Sequence, residues 1–82
     1  MSAETASSTK SVEIYVPLLN EGTEVMRPTT GRLLTADTVE VQATDDYDPK
    51  IEDWQFPPGS KVNCVTEIRD GRNLLVARQI AD

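Results

Sequence analysis

The chain of 82 residues contains no histidine and one cysteine, Cys64. Serine catalysis with a histidine base is therefore excluded, and so are zinc centres, which are built from clustered cysteine and histidine ligands. A cysteine nucleophile is activated by a histidine, a cationic neighbour or a helix N-terminus. Because Cys64 alternates with Val62 in a predicted strand, we expect it to be a buried structural thiol. The sequence predicts no enzyme, no metal site and no cofactor.

Basic residues are also few. Eight Lys and Arg stand against fourteen Asp and Glu, which gives a net charge of −6. Nucleic-acid affinity comes mainly from cationic side chains that neutralise phosphates, and the eight in this chain are scattered along it. The composition therefore argues against nucleic acid and anionic membrane surfaces as partners, and it favours a basic protein partner.

Long apolar runs and disulfide staples are absent from the sequence as well. No stretch approaches the ~20 apolar residues of a membrane helix, and the opening residues MSAETASSTK lack the apolar centre of a secretory signal. A secreted domain of this size usually needs disulfides, which one cysteine cannot form internally. We therefore expect a cytoplasmic protein with a disordered tail at residues 1–10 and a single domain at residues 11–82.

What the sequence does contain is a series of short segments in which apolar and polar residues alternate, the pattern of half-buried strands. These segments lie at residues 11–16, 23–27, 32–35, 38–44, 61–68 and 73–80. Five to six short strands joined by tight turns predict an all-β fold, and closure into a small antiparallel barrel removes exposed edges with few residues. We expect an SH3-like barrel. An OB-like barrel, which usually needs more chain and a helix, ranks second.

Turn residues separate these segments. Asp70-Gly71 is the strongest hairpin signal in the chain. Pro57-Pro58-Gly59 suits a turn with proline at its second position and glycine at its third. Pro49 at a first helical position, with Asp48 as the cap, predicts one helical turn.

Most of the chemical character of the chain lies in residues 45–56, DDYDPKIEDWQF, which we name the acidic–aromatic loop. It holds three of the four aromatic residues and five of the fourteen acids. Trp54 and Phe56 lie two apart and so point the same way in an extended segment. Because the chain has few large apolar residues, we expect both to pack inside the barrel. In the alternative, Tyr47 and Trp54 stay partly exposed and form a groove ringed by carboxylates.

Aromatic side chains are preferred anchors at protein interfaces, and carboxylates select basic partners. The acidic–aromatic loop is therefore the predicted protein-binding site, with Tyr47 and Trp54 supplying contact area. The carboxylates predicted to select the partner are Asp45, Asp46, Asp48 and Asp53. Calcium is disfavoured, because an EF-hand register that starts at Asp46 would place Lys50 and Ile51 where an oxygen ligand and a glycine belong.

Two resemblances accompany these residues. Asp46-Tyr47-Asp48, Trp54 and Pro57-Pro58 are similar to the residues with which SH3 domains bind proline-rich peptides, but their order along the chain differs, so no ligand-binding role is transferred. The phrases YVPLLNEGTEVMRP (residues 15–28) and WQFPPGSKVNC (residues 54–64) resemble small bacterial proteins of unknown function. This second resemblance implies a compact SH3-like β fold and assigns it no activity.

The function predicted from these features is non-catalytic protein binding through the acidic–aromatic loop, by a monomer or a weak homodimer. Two other classes stay open. An acidic inhibitor or immunity-like protein would block a basic partner with an affinity that falls steeply with salt. A structural accessory subunit would dimerise through a sheet edge and would be insensitive to changes in the loop.

Overall fold

The computed structural model describes residues 10–81. The strands are β1 (Lys10–Pro17), β2 (Met26–Leu33), β3 (Thr38–Val41), β4 (Lys61–Arg69) and β5 (Arg72–Ile80). The predicted tail at residues 1–10 lies outside the described residues except for Lys10, which begins β1. Within residues 10–81, no helix has the length and apolar character needed to cross a membrane.

The strands form a closed barrel in the order β1-β2-β3-β4-β5, so each strand pairs with its neighbour in sequence. These neighbouring pairs are antiparallel. β5 closes the barrel against β1 in parallel orientation, through the pair Tyr15–Val76. The predicted all-β fold, a small SH3-like barrel, is confirmed with five strands.

The barrel encloses a thin core. Ile14 and Val16 of β1 are fully buried, while Glu13 between β1's inward residues is exposed, as the alternation predicts. The buried core side chains are Ile14, Val16, Val39, Val41, Trp54, Phe56, Val62 and Ala77. Trp54 and Phe56 are 3% and 5% exposed, so the expectation that both pack inside is confirmed. Their rings add volume to a core that is otherwise aliphatic.

The two strongest turn signals form the turns that were predicted. Asp70 and Gly71 both have positive φ, 52° and 77°, as a type I′ hairpin requires, and they join β4 to β5. The Ser60 N–H donates to the Pro57 carbonyl at 3.0 Å. This hydrogen bond places Pro58 second and Gly59 third in a four-residue turn that leads into β4.

β2 differs from its prediction, because one strand replaces the two expected at residues 23–27 and 32–35. Pro28 does not break it. The Thr30 carbonyl accepts from Gln42 N–H, so the backbone groups of Thr30 and Pro28, two residues apart, face away from β1. The missing N–H of Pro28 therefore removes no β1–β2 hydrogen bond.

Gly31 also lies inside β2, where sequence alone indicated a turn. A Cβ at Gly31 would lie 2.2 Å from Val39 Cγ1 and 3.1 Å from Ile14 Cδ1. The glycine is therefore a packing residue, because it leaves room for two core side chains over the backbone of β2.

β4 is longer than the strand beside it. β3 pairs with β4 at residues 61–63, while β5 pairs with β4 at residues 62–69. Thr66 and Ile68 alternate with Val62 and Cys64 and so lie on the same face of β4, yet both are exposed, and Ile68 is 73% exposed. The period-two pattern is correct, but this half of the strand extends past β3, where it has little to pack against.

Candidate functional site

The acidic–aromatic loop connects β3 to β4, and its second half is fixed against the end of β1. The Leu19 N–H donates to the Asp53 carbonyl at 2.7 Å, and the Gln55 N–H donates to the Pro17 carbonyl at 2.9 Å. Leu18 and Trp54 form an isolated antiparallel bridge between these two contacts. This short ladder gives the loop a defined path and directs Trp54 into the core.

Glu52 fixes the middle of the loop to β2. Its Oε1 accepts from Arg27 Nε at 3.1 Å and from Trp54 Nε1 at 3.0 Å, while Oε2 pairs with the Arg27 guanidinium. The hydrogen bonds from Arg27, and then that from Trp54, lower the pKa of the Glu52 carboxyl. Both carboxylate oxygens are thus engaged within the fold, and Glu52 positions the loop.

Asp48 organises the turn between these fixed points. Its Oδ1 accepts from the Lys50 N–H at 2.9 Å, and its carbonyl accepts from the N–H groups of Ile51 and Glu52 at 2.9 and 3.0 Å. The predicted single turn with Asp48 as its cap is therefore confirmed. This turn leaves Ile51 at the surface with 77% of its area exposed.

The two aromatic residues expected at the binding surface have different environments. Trp54 is buried, so the hypothesis that it supplies contact area is wrong: a barrel with so few large side chains uses the indole as core. Tyr47 is half-buried and packs edge-on against Trp54, with ring centroids 4.8 Å apart and an interplanar angle of 69°. Tyr47 therefore covers one side of the indole and keeps part of its own ring at the surface.

Three of the four predicted carboxylates are exposed: Asp45, Asp46 and Asp53. Asp46 accepts from Thr44 Oγ1 at 2.8 Å, and this hydrogen bond is the main reason that its pKa is lowered. Asp53 Oδ2 accepts from Asn20 Nδ2 at 3.0 Å. The fourth, Asp48, is half-buried and serves as the cap. The exposed carboxylates face solvent on a loop that is fixed by hydrogen bonds.

Two residues of this site were missed by reasoning from sequence. Ile51 is the most exposed large apolar residue among those described. The sequence does indicate this exposure, because Ile51 lies in a capped turn between Lys50 and Glu52, outside any alternating run. Arg27 binds Glu52 across 25 positions of sequence. That partnership depends on how β2 lies against the loop, and no local pattern reports it.

A shallow depression adjoins the first carboxylate of the loop. It has a volume of about 560 Å³, opens widely to solvent and lies between residues 11–13, 28–30 and 43–45. Its walls mix hydroxyl, carboxylate and apolar groups. Within the described part of the chain, no three His, Cys, Asp or Glu side chains converge as a metal site requires.

Comparison with known proteins provides no relative from which a role for the site could be inferred. No family model, curated protein or solved structure matches this chain. The function must therefore be argued from the loop's geometry and charge.

Cys64 lies at a different part of the barrel, beside a depression of about 390 Å³ that also contacts Leu33 and Leu75. The thiol is half-buried, not fully buried as expected, because the pairing of β3 with β4 reaches only as far as Asn63. Burial raises its pKa above the ordinary value, so the thiolate is scarce at neutral pH. Its environment is that of a structural thiol.

Proposed function

We propose that the chain is a non-catalytic protein-binding module whose acidic–aromatic loop docks on a basic partner. One observation carries the proposal: the loop is fixed by Glu52 and Asp48, yet presents Ile51 with 77% of its area exposed. A fixed loop loses little conformational entropy when it binds. A large apolar side chain held outside the core is the kind of anchor that interfaces bury.

The charge of the loop supports a basic partner. Asp45, Asp46 and Asp53 are exposed, and none of them belongs to the ion pairs found among residues 10–81. Their field would speed encounter with a cationic surface and disfavour acidic competitors. Tyr47 contributes its exposed part at the same loop. The single thiol, Cys64, fits the reducing cytoplasm that we propose as the setting.

Two variants of the full chain test the proposal. In the loop variant, Asp45→Asn, Asp46→Asn and Asp53→Asn remove three exposed charges. In the matched control, Glu13→Gln, Glu21→Gln and Asp37→Asn remove three exposed charges elsewhere. Both variants lose the same amount of the net charge of −6, so a difference between them reports position. A third variant, Ile51→Ser, tests the apolar anchor.

The probe is a peptide selected from a random phage library against the immobilised wild-type chain. We expect selected sequences to combine Lys or Arg with an apolar residue, and we expect the loop variant and Ile51→Ser each to weaken binding at least about tenfold. The control should keep wild-type affinity at equal ionic strength. The proposal is wrong if the loop and control variants bind equally, or if peptides that bind a different surface dominate the selection.

A further inference from the structure

β4 has one edge that no other strand covers within residues 10–81. β3 pairs with β4 at residues 61–63, and the Asn63 side chain then donates to the Asp37 carbonyl at 2.8 Å. From Cys64 onward, β4 pairs with β5 on one side. No backbone hydrogen bond from the described residues reaches its other side. We name residues 64–69 the β4 edge.

β2 also extends past β3, but that overhang is covered. The Gln42 N–H donates to the Thr30 carbonyl at 3.0 Å, and Thr29 Oγ1 donates to the Gln42 carbonyl at 2.6 Å. The chain leaving β3 therefore occupies this side of β2. The β4 edge has no equivalent cover in the described chain, and an uncovered strand edge is a template for pairing with another chain.

The hairpin turn determines which backbone groups the β4 edge offers. Arg69 and Arg72 flank the two-residue turn and form the hydrogen-bonded pair next to it. Hydrogen-bonded and non-hydrogen-bonded pairs alternate along an antiparallel ladder. The N–H and C=O groups of Ile68 and Thr66 therefore point away from β5, toward the open side.

The last three side chains of the β4 edge, Glu67, Ile68 and Arg69, are complementary to their own reversed order. An antiparallel pairing about a two-fold axis through Ile68 places Ile68 opposite the same residue of a second copy. The same register places Glu67 opposite the second copy's Arg69, and this occurs twice by symmetry. Ile68, 73% exposed in the single chain, would become covered.

The local charge also favours a second copy here. Arg69 and Arg78 each contact both Glu24 and Glu67, with N–O distances from 2.6 to 3.1 Å. The arginines of β4 and β5 thus balance Glu67 of β4 and Glu24 of the β1–β2 connection. A chain with a net charge of −6 repels its own copies, and this neutral group is where two copies approach with little repulsion.

We propose that the β4 edge pairs antiparallel with the β4 edge of a second copy of this chain, with Ile68 on the two-fold axis and Glu67 facing the second copy's Arg69. The inference is independent of the acidic–aromatic loop. Because so few residues pair, the buried area falls below the ~1,200 Å² of stable interfaces, and the dimer is transient and concentration-dependent.

Sedimentation velocity of the full chain over a range of protein concentrations tests the dimer. Ile68→Lys removes the apolar contact and places two like charges on the axis, so we expect dimerisation to weaken by roughly tenfold or more. Ile80→Lys makes the same chemical change at a 52% exposed isoleucine at the other end of the hairpin, and it should leave dimerisation unchanged. A wild-type chain that stays monomeric at the highest concentration overturns the proposal, as does dimerisation that survives Ile68→Lys.

A charge exchange tests the register. Arg69→Glu makes the edge acidic at both flanking positions, and Glu67→Arg makes it basic at both. Each variant alone should be monomeric, because like charges then face each other. Mixed together, the two variants should form a heterodimer, since every acidic position meets a basic one. Absence of the heterodimer, with both variants folded by circular dichroism, rules out the pairing about Ile68.

Discussion

Replacing Gly31 by alanine tests how tightly the barrel is packed over β2. The added Cβ would lie 2.2 Å from Val39 Cγ1, whereas carbon atoms in contact stand about 3.5–4.0 Å apart. Val39 is a β-branched side chain, 3% exposed, and it cannot move outward without disturbing the core. The backbone of β2 is held on both sides at this position, by Val12 of β1 and Val41 of β3.

The magnitude follows from two opposed effects. Overpacking of a core costs about 1–3 kcal/mol, while exchanging glycine for alanine lowers the entropy of the unfolded chain and returns about 0.4–1 kcal/mol. We expect Gly31→Ala to lower the free energy of unfolding by about 1–2 kcal/mol, which corresponds to a fall in Tm of about 4–16 °C for a domain of this size. Urea unfolding followed by the fluorescence of the buried Trp54 measures it.

A double variant identifies the cause. Val39→Ala removes the methyl group that the new Cβ would strike, so Gly31→Ala should cost little in that background. We expect the two substitutions to be non-additive by at least about 1 kcal/mol. Additive effects within about 0.5 kcal/mol, or a Gly31→Ala variant as stable as the wild type, would refute the packing explanation.

Two further predictions concern titration and reactivity. Hydrogen bonds from Arg78 and Arg69 hold the pKa of Glu67 at about 2, below its ordinary 4.5, so its contribution to stability is present above pH 4.5 and is lost as the pH falls toward 2. When the pH is lowered from 4.5 toward 2, the midpoint of urea unfolding should decrease less in Glu67→Gln than in the wild type. An exposed control, Glu21→Gln, should behave like the wild type, and equal decreases in all three proteins would contradict the ion network. Cys64, half-buried with a raised pKa, should react slowly with a disulfide reagent in the native state and rapidly in urea, and equal rates would show that the thiol is freely exposed.

The parts of the fold that sequence predicted are those fixed by local chemistry. Asp70-Gly71 and Pro58-Gly59 form their turns because the residues themselves prefer that backbone. The alternation in β1 gave its buried face correctly. β2 is one strand where the pattern predicts two, because proline and glycine usually interrupt strands. Whether they break a strand depends on what lies beside it, and Pro28 has no strand on the side that its nitrogen faces.

In the candidate site, too, the features set by local sequence were predictable and those set by tertiary contacts were not. The scarcity of large apolar residues correctly predicted that Trp54 and Phe56 are core, and the cap at Asp48 was visible in the sequence. The link between Arg27 and Glu52 was not, since it joins a strand to a loop through the barrel's register. Ile51 lies in no alternating run, so periodicity does not mark it, and its exposure follows from the capped turn that holds it outside the core.

The single pair that closes the barrel, Tyr15 with Val76, has a consequence for how the chain folds. Every other strand pair joins neighbours in sequence and closes a shorter stretch of chain, the longest being residues 42–60 between β3 and β4. Closure joins positions about 60 residues apart, the largest sequence separation of any strand pair, and so costs the most loop-closure entropy of any one pair. During synthesis, β1 to β4 can therefore pair as they emerge, but the barrel stays open until β5 has left the ribosome.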